Sequence, residues 1–485
     1  MDIKELKPKN VWTIFDEITK VPRPSKKEGK IRAYLKNFAA QHNIAVKEDE
    51  AGNILMSKPA TRGRENAPVV TMQAHMDMVC EKNSGVDFNF EEDPIKTRIE
   101  GEWVTAEGTT LGADNGIGLA AALAILTDEN VKHGPIEALF TVDEETGLTG
   151  AYALKEGFID GKYLINLDTE EEGEIIVGCA GGIDTLATFA YHPMMTPPNY
   201  HYLKITVSGL RGGHSGTDIH EGRGNSIKIL SRFLCRCAQM HDIVLCSFEG
   251  GNLRNAIPRE ATAVIGIHTD NKEKVTADLN IFSAAIADEL RGVDPGFKMQ
   301  WESQDTQKLA IDRQSSFGLL NSLNACQQGV ISMSHDIKGL VETSTNLASV
   351  KKSGDHIVVT TSQRSSVESM KTGLACSIKS LFSLAGAKVT QSDGYPGWQP
   401  KMNSKLLELT VETYKELFEG HQPIVTAVHA GLECGLFLKK YPYLDMVSFG
   451  PTMSGVHSPD EKMSIPSVAN FYKHLTALVE KIANS

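Results

Sequence analysis

Histidine and carboxylate side chains that could hold metal ions occur where short apolar segments of the sequence end. The first of them are His75, Asp77, Glu144 and Glu145, and the two glutamates directly follow the apolar run 136–142. Residues two apart on a strand face the same way, so Asp77 is placed to orient the His75 imidazole. If one glutamate binds a metal, the other can hold a water molecule beside it as a general base.

Three further candidates occupy comparable positions. Asp114 lies in the glycine-rich segment 108–118, Asp168 follows the apolar run 163–167, and His457 lies in a loop after another such run. Taken singly, the candidates have ordinary structural explanations: Asp114 as an N-cap, Glu144 and Glu145 as an acid-rich helix start, and His457 as a loop histidine. Together, imidazole and carboxylate ligands suit zinc, and also manganese or cobalt.

Charge counting favours a site with two metal ions. Asp114, Glu145 and Asp168 supply three negative charges, and a bridging hydroxide would supply the fourth that balances two divalent cations. A phosphate-binding loop is the other explanation for the glycines around Asp114, but the G-x-x-x-x-G-K-[ST] pattern is absent.

The elements that must position these side chains alternate between strand and helix. Apolar runs of buried-strand length alternate with helical patterns such as 117–126 up to about residue 190, and the same style returns after about residue 396. This pattern predicts an α/β fold with a mostly parallel mixed sheet and helices on both faces. The carboxyl ends of parallel strands meet in one crevice, which would gather the candidate residues.

The middle of the chain has a different pattern. A Pro-rich segment near 193–198, typical of a linker, and a return near 395 enclose alternating strands and long helical patterns. We therefore expect a catalytic metal-binding domain formed by residues 1–192 and 396–485, with an α+β lid domain, residues 193–395, inserted into it.

Composition excludes several classes of function. The 49 Lys and Arg residues against 61 Asp and Glu give a formal charge of −12, which argues against nucleic acid as the main partner. No apolar run reaches the roughly 18 residues that span a bilayer, and the N-terminus lacks a secretory-signal pattern. The eight cysteines contain no C-x-x-C pair, as is typical of free thiols. We expect a cytoplasmic protein with no membrane partner.

Several motifs resemble the co-catalytic zinc peptidase family that includes carnosinases, aminoacylases and acetylornithine deacetylase. The resemblance extends over essentially the whole chain. Its specific segments are 108–118, 168–174, 178–182, 212–216, 255–260, 395–400, 429–435 and 457–461.

The resemblance implies two Zn²⁺ ions per subunit, for which Mn²⁺ or Co²⁺ could substitute, and is compatible with a homodimer. The implied metal ligands are His75 and Asp168 for one ion, Glu145 and His457 for the other, and Asp114 as the bridge between them. Asp77 would orient His75, and Glu144 would be the general base. A cis peptide bond between Asp114 and Asn115 is also implied.

The resemblance further implies how the substrate is held. His214 would polarise the scissile carbonyl or stabilise its oxyanion. The implied substrate-binding residues are Asn255, Arg364, Ser454 and Gly455, with Arg364 taking the terminal carboxylate.

The implied activity is metal-dependent hydrolysis of dipeptides, including Xaa-His and carnosine-like substrates. An N-acyl-amino-acid deacylase on the same scaffold stays open, because its metal site would be the same. A non-catalytic metal-binding protein is disfavoured by the intact Glu144 beside a full ligand set. An α/β enzyme acting on carbohydrates or nucleotides is disfavoured by the missing phosphate loop.

Overall fold

The computed structural model describes residues 2–485 and divides into two compact units. The first unit runs up to Gly178 and continues through Pro400–Ala427 and Leu432–Ser485. The second unit comprises Cys179–Gln399 and Val428–Gly431. Within the described residues, no helix combines the length and the apolar character needed to cross a membrane.

The elements are numbered in chain order. The helices are α1 (Lys9–Thr19), α2 (Gly29–Gln41), α3 (Ala113–Thr127), α4 (Glu144–Gly147), α5 (Thr149–Ala153), α6 (Ser226–Met240), α7 (Lys272–Glu289), α8 (Arg313–Ala325), α9 (Glu368–Leu384), α10 (Lys405–Leu417), α11 (Glu433–Lys440) and α12 (Ile465–Ala483). The strands are β1 (Ala45–Glu48), β2 (Ile54–Lys58), β3 (Val70–His75), β4 (Thr97–Glu100), β5 (Trp103–Ala106), β6 (Ile136–Thr141), β7 (Tyr163–Asn166), β8 (Glu174–Cys179), β9 (Gly181–Ala190), β10 (Pro193–Met195), β11 (Tyr200–Ser208), β12 (Ile243–Gly250), β13 (Ala261–His268), β14 (Lys298–Gln304), β15 (Leu309–Ile311), β16 (Gly329–Met333), β17 (Val341–Ser353), β18 (His356–Ser365), β19 (Lys388–Gln391), β20 (Ile424–Val428), β21 (Asp445–Ser448), β22 (Met453–Ser454) and β23 (Lys462–Ser464).

An eight-stranded mixed sheet forms the centre of the first unit, in the order β1-β2-β6-β3-β7-β21-β8-β20. Its middle strands β6, β3, β7 and β21 are parallel neighbours, whereas β1, β2 and β8 pair antiparallel. Strands β3 and β6 are buried along their whole length, as expected for parallel strands covered by other elements. The predicted α/β fold with a mostly parallel mixed sheet is confirmed.

Helix α3 is apolar on nearly all sides because it is enclosed within the first unit, where it packs against β3, β6 and α1. Helix α10 packs against β21 and α12. A small sheet in the order β22-β23-β5-β4 carries the loop that contains His457.

The second unit has an antiparallel sheet in the order β14-β11-β13-β12-β17-β18-β9-β19, with β16 paired to β17. It begins at Cys179 rather than at residue 193, because β9 pairs with β18 along its length. The Pro-rich segment expected to be a linker instead contains β10, which pairs with β15 inside this unit. The unit also takes Val428–Gly431 from the C-terminal part of the chain.

Candidate metal centre

Three of the proposed metal-site segments lie at the carboxyl ends of adjacent parallel strands of the first unit. His75 is the last residue of β3, Glu145 lies in α4 just after β6, and Asp168 follows β7. Strand β3 pairs in parallel with β6 on one side and β7 on the other, so these three ends share one edge of the sheet. The topology therefore gathers candidate ligands that are far apart in the sequence.

Two imidazoles face carboxylate oxygens across a shared aspartate. His75 Nε2 lies 2.9 Å from Asp114 Oδ1 and 3.4 Å from Asp168 Oδ1. His457 Nε2 lies 3.1 Å from Asp114 Oδ2 and 3.1 Å from Glu145 Oε2. Asp114 thus presents one oxygen to each imidazole, which is the arrangement that a bridging ligand between two cations requires.

The donor set fits divalent metal ions. Ligand atoms of His75, Asp114 and Glu145 lie within 4.8 Å of one another. Glu145 Oε1 is buried and accepts no hydrogen bond, so this oxygen is an acceptor whose partner the described residues do not supply. Imidazole nitrogen and carboxylate oxygen are ligands that zinc and related ions take.

The turn that presents Asp114 is held by two buried ionic side chains to which the sequence analysis assigned no role. Glu461 accepts the backbone N–H groups of residues 111–114, at 2.7, 3.0, 2.8 and 3.3 Å. Arg23 donates to the Gly112 carbonyl and, at 2.6 Å, to the Asp77 carbonyl. Gly112 has a φ of 69°, and a Cβ there would meet Arg23. The implied cis peptide bond between Asp114 and Asn115 is confirmed.

Asp77 touches His75, but the reason given from the sequence is wrong. Strand β3 ends at His75, so Asp77 lies in a loop and not on the strand face. Beyond the strand, Met78 N donates to the Arg23 carbonyl at 3.1 Å, and Arg23 Nη1 donates to the Asp77 carbonyl at 2.6 Å. Asp77 Oδ1 still lies 3.2 Å from His75 Nδ1.

The Asp77 carboxylate also supports the turn that carries the proposed base. Its two oxygens accept the backbone N–H groups of Glu144 at 3.1 Å and Glu145 at 3.2 Å. Ser25 Oγ donates to the same carboxylate at 2.8 Å. One side chain therefore links the His75 imidazole to the backbone of both adjacent glutamates.

Burial and neighbouring charges shift the titration of the cluster. Burial and the negative charge of Asp168 raise the pKa of Glu144 well above its usual range. Burial also raises the pKa of Asp168 to about 6. Hydrogen bonds to Asp114 and Glu145 raise the pKa of His457 to about 11.

Metal uptake by the free chain is expected to release protons near neutral pH. The raised pKa of His457 keeps its imidazole protonated at pH 7, whereas a metal ligand must be neutral. Calorimetric zinc titrations in buffers of different ionisation enthalpy should therefore give different apparent heats, and His457→Gln should reduce the proton count. Heats that do not depend on the buffer would contradict this expectation.

His214 lies in the second unit with its ring orientation set by the backbone. The Thr217 N–H donates to His214 Nδ1 at 3.1 Å, so the neutral ring carries its proton on Nε2. Burial and the positive charge of Arg364 lower the pKa of His214, which favours this neutral form. Asn255 is exposed, and its carbonyl accepts the N–H of Ser215 at 2.8 Å. His214 and Asn255 are therefore neighbours.

Arg364 is a buried cation at the C-terminal end of β18. Its Nη1 donates to the Tyr395 hydroxyl at 2.8 Å, and its Nε has no hydrogen-bond partner. Across residues 2–485, no carboxylate forms an ion pair with this guanidinium. A buried cation without an anionic partner is costly, so the arrangement favours an anion supplied from outside the chain.

His429 and Ser344, two neighbours of Arg364, received no role from the sequence, although His429 lies in one of the motif segments. Burial and the charge of Arg364 lower the pKa of His429 to about 3, so its imidazole is neutral. Its Nε2 lies 2.7 Å from Ser344 Oγ, and Ser344 is the cross-strand partner of Arg364. Arg364 and Ser344 become neighbours only when β17 pairs with β18, so no local pattern in the sequence predicts their contact.

Ser454 and Gly455 lie in the first unit, where β22 leads into the His457 loop. Ser454 is exposed. The Gly455 carbonyl accepts the Ser458 hydroxyl at 2.6 Å, and a Cβ on Gly455 would approach the Asp460 carbonyl to 2.7 Å. His457 has a φ of 63°, which is uncommon for a residue other than glycine and is often found at functional sites.

The chain is similar to known peptidases in sequence and in fold. The model of peptidase family M20/M25/M40 matches residues 71–481. The chain is 44% identical over 481 residues to the cytosol non-specific dipeptidase of Escherichia coli strain K12, covering 99% of each protein. The crystal structure of aminoacylhistidine dipeptidase from Vibrio alginolyticus superposes with a TM-score of 0.93 at 42% identity, covering 99% of this chain and 98% of that one. Human carnosine dipeptidase 1 shares the fold, with a TM-score of 0.52 at 13% identity over 98% of this chain and 96% of that one.

A mixed α/β unit with imidazole and carboxylate groups at its strand ends is what a metallopeptidase of this fold requires. The chain belongs to peptidase family M20/M25/M40.

Proposed function

We propose that this chain is a metal-dependent dipeptidase that hydrolyses Xaa-His dipeptides, including carnosine-like substrates. The observation that carries the proposal is the shared Asp114, which presents one oxygen to His75 and the other to His457. The names of the Escherichia coli and Vibrio alginolyticus relatives support a dipeptide as the substrate.

The proposed cofactor is a pair of Zn²⁺ ions, for which Mn²⁺ or Co²⁺ could substitute. The residues that would hold them are His75 and Asp168 on one side, Glu145 and His457 on the other, and Asp114 between. When bound, such a pair polarises the scissile carbonyl and lowers the pKa of a shared water molecule.

Glu144 is the proposed general base. It takes a proton from the attacking water and returns it to the leaving amine. Asp77 holds the backbone of Glu144 in place and orients His75 through its Nδ1. A carboxylate beside the second ring nitrogen sets the tautomer and direction of a ligating imidazole.

Five residues are proposed to contact the substrate. The His214 Nε2–H is a donor for the carbonyl oxygen as negative charge develops on it. Arg364 binds the terminal carboxylate of the dipeptide, because a planar guanidinium matches a carboxylate with two parallel hydrogen bonds. Asn255 and the backbone at Ser454 and Gly455 complete substrate binding.

A dipeptide panel tests the proposal directly. We expect hydrolysis of Xaa-His dipeptides, including β-alanyl-histidine, that disappears with a chelator and returns with zinc. N-acetyl amino acids should be poor substrates. If the N-acetyl amino acids are hydrolysed and the dipeptides are not, the chain is an N-acyl-amino-acid deacylase instead.

We also propose a cytoplasmic location and a homodimer, to be tested by fractionation and light scattering.

Arg364→Ala is expected to separate substrate binding from metal binding. The substitution should lower kcat/KM for a free dipeptide by about 10–100-fold, since a hydrogen bond to a charged group contributes about 1.5–3 kcal/mol. The zinc content should not change, because Arg364 is not among the proposed ligands. Kinetics on a dipeptide and on its C-terminal amide measure the effect.

The control for this variant is Arg232→Ala, which removes an exposed arginine of the same unit that pairs with Glu289. The wild type and this control should both prefer the free acid to the amide, and Arg364→Ala should not. If Arg364→Ala still discriminates strongly between acid and amide, another residue binds the carboxylate.

A further inference from the structure

A layer of buried polar side chains lies one step below the strand ends that carry the metal-site residues. Gln73, Thr141 and Asn166 belong to the adjacent strands β3, β6 and β7, and Glu433 is the first residue of α11. These four residues, which we call the polar layer, are each at most 1% exposed. Their neighbours along the strands, such as Met72, Phe140 and Ile165, are buried and apolar.

Glu433 is the anchor of the polar layer. Its Oε2 accepts hydrogen bonds from Gln73 Nε2 at 2.6 Å and from Thr141 Oγ1 at 2.8 Å, which ties β3 to β6. Gln73 Oε1 accepts from Asn166 Nδ2 at 2.6 Å, which extends the connection to β7. One carboxylate on a helix therefore joins three parallel strands through their side chains.

Burying a carboxyl group in the protein interior is destabilising unless hydrogen bonds compensate for the lost hydration. Glu433 Oε1 is buried and forms no hydrogen bond. Glu433 forms no salt bridge with Lys, Arg or His in the part of the chain that the structure describes. Stability alone is therefore a poor explanation for this residue.

The members of the polar layer directly precede the residues of the metal centre. Gln73 is two residues before His75, Asn166 is two before Asp168, and Thr141 is three before Glu144. Because side chains at i and i+2 share a face of a strand, the position of Gln73 governs the direction of His75. Metal and catalytic groups must be held within about 0.5 Å of their working geometry.

We propose that Glu433 is a positioning residue that fixes the relative positions of the ends of β3, β6 and β7 through its hydrogen bonds to Gln73 and Thr141. It acts through these side chains and not by touching metal or substrate. The inference rests on the proposed metal centre, but it concerns a residue outside the proposed ligand set.

The test measures zinc affinity by competition with a chromophoric chelator, without any dipeptide. Glu433→Ala should weaken zinc binding by about 10-fold or more. This is the lower end of the loss in metal affinity expected when a residue that orients metal ligands is mutated. Glu433→Ala should also lower kcat with little change in KM, because the base and the metal site are displaced together.

Glu137→Ala is the matched control. Glu137 is also a buried carboxylate on β6, where it accepts from Thr71 Oγ1 of β3 at 2.9 Å, but at the opposite end of the two strands. Both alanine variants should lower the melting temperature. Only Glu433→Ala should change zinc affinity.

Glu433→Gln keeps a hydrogen-bond acceptor at this position and removes the carboxyl group. Its amide oxygen can accept both hydrogen bonds that Glu433 Oε2 accepts now, so it should recover most of the zinc affinity lost in Glu433→Ala. If Glu433→Ala does not fold, Gln73→Met removes the hydrogen bonds of Gln73 to Glu433 and to Asn166 and should weaken zinc binding likewise.

Two results would overturn the proposal. One is a zinc affinity of Glu433→Ala equal to that of Glu137→Ala, and the other is a Glu433→Gln variant as weak as Glu433→Ala. A wild type that binds zinc but cleaves no dipeptide would contradict the proposed function alone and leave this inference standing.

Discussion

Glu144→Gln should retain its metal ions and lose about 10²–10⁴-fold in kcat, the range that a general base contributes. The amide has the shape of the carboxylate but cannot accept the proton of the attacking water. The backbone hydrogen bond from Glu144 N to Asp77 does not involve the side chain and should persist. Steady-state kinetics together with zinc content measured by elemental analysis test this expectation.

The neighbouring residue provides the control for Glu144→Gln. Glu145→Gln changes the same functional group one position away, but Glu145 Oε2 faces His457 Nε2 at 3.1 Å as a proposed ligand. This variant should lose metal as well as activity. Near-normal turnover of Glu144→Gln at full metal occupancy would remove Glu144 from the role of base.

Asp114→Ala should weaken binding of both metal ions and reduce activity by about 10³-fold or more. Stabilisation of the transition state by metal ions amounts to several kcal/mol, and each 1.36 kcal/mol corresponds to a factor of ten in rate. Asp114 is the one carboxylate of the cluster that faces both His75 and His457 among the described residues. Its loss should therefore affect both sides of the site.

Asp168→Ala is the comparison that makes this prediction specific. Asp168 faces His75 but forms no ion pair with His457 in the described chain, so its removal should weaken one ion and leave the other. Zinc titration should show loss of both binding steps in Asp114→Ala and of one step in Asp168→Ala. Equal metal content in the two variants would contradict the bridging role of Asp114.

Local pattern in the sequence was sufficient to predict the strands and helices that support the proposed metal centre. The apolar run 136–142 became β6, and the segment 117–126, apolar on all sides, became the enclosed helix α3. Both signals are strong because burial on every side demands apolar residues at every position. The order of strands and helices then predicted the α/β fold and the edge of the sheet where the ligands meet.

Local pattern did not predict that the second unit begins at Cys179. It also did not predict that Asp77 lies in a loop after β3. Strand β9 resembles a continuation of the first unit in the sequence, but it pairs with β18, and pairing between distant strands leaves no local trace. Asp77 was assigned to a strand because apolar residues continue to Val79, whereas β3 ends at His75 and Met78 pairs with Pro24 instead.

The sequence by itself determined the fold class, the family and the identity of the side chains available for metal binding. Only the tertiary structure decided how those side chains are held. The hydrogen bond between Gln73 and Glu433 joins residues 360 positions apart, and Arg364 meets Tyr395 only after β18 has formed. Periodicity records which face of an element is buried, but the partner of a buried polar group depends on which other element packs there.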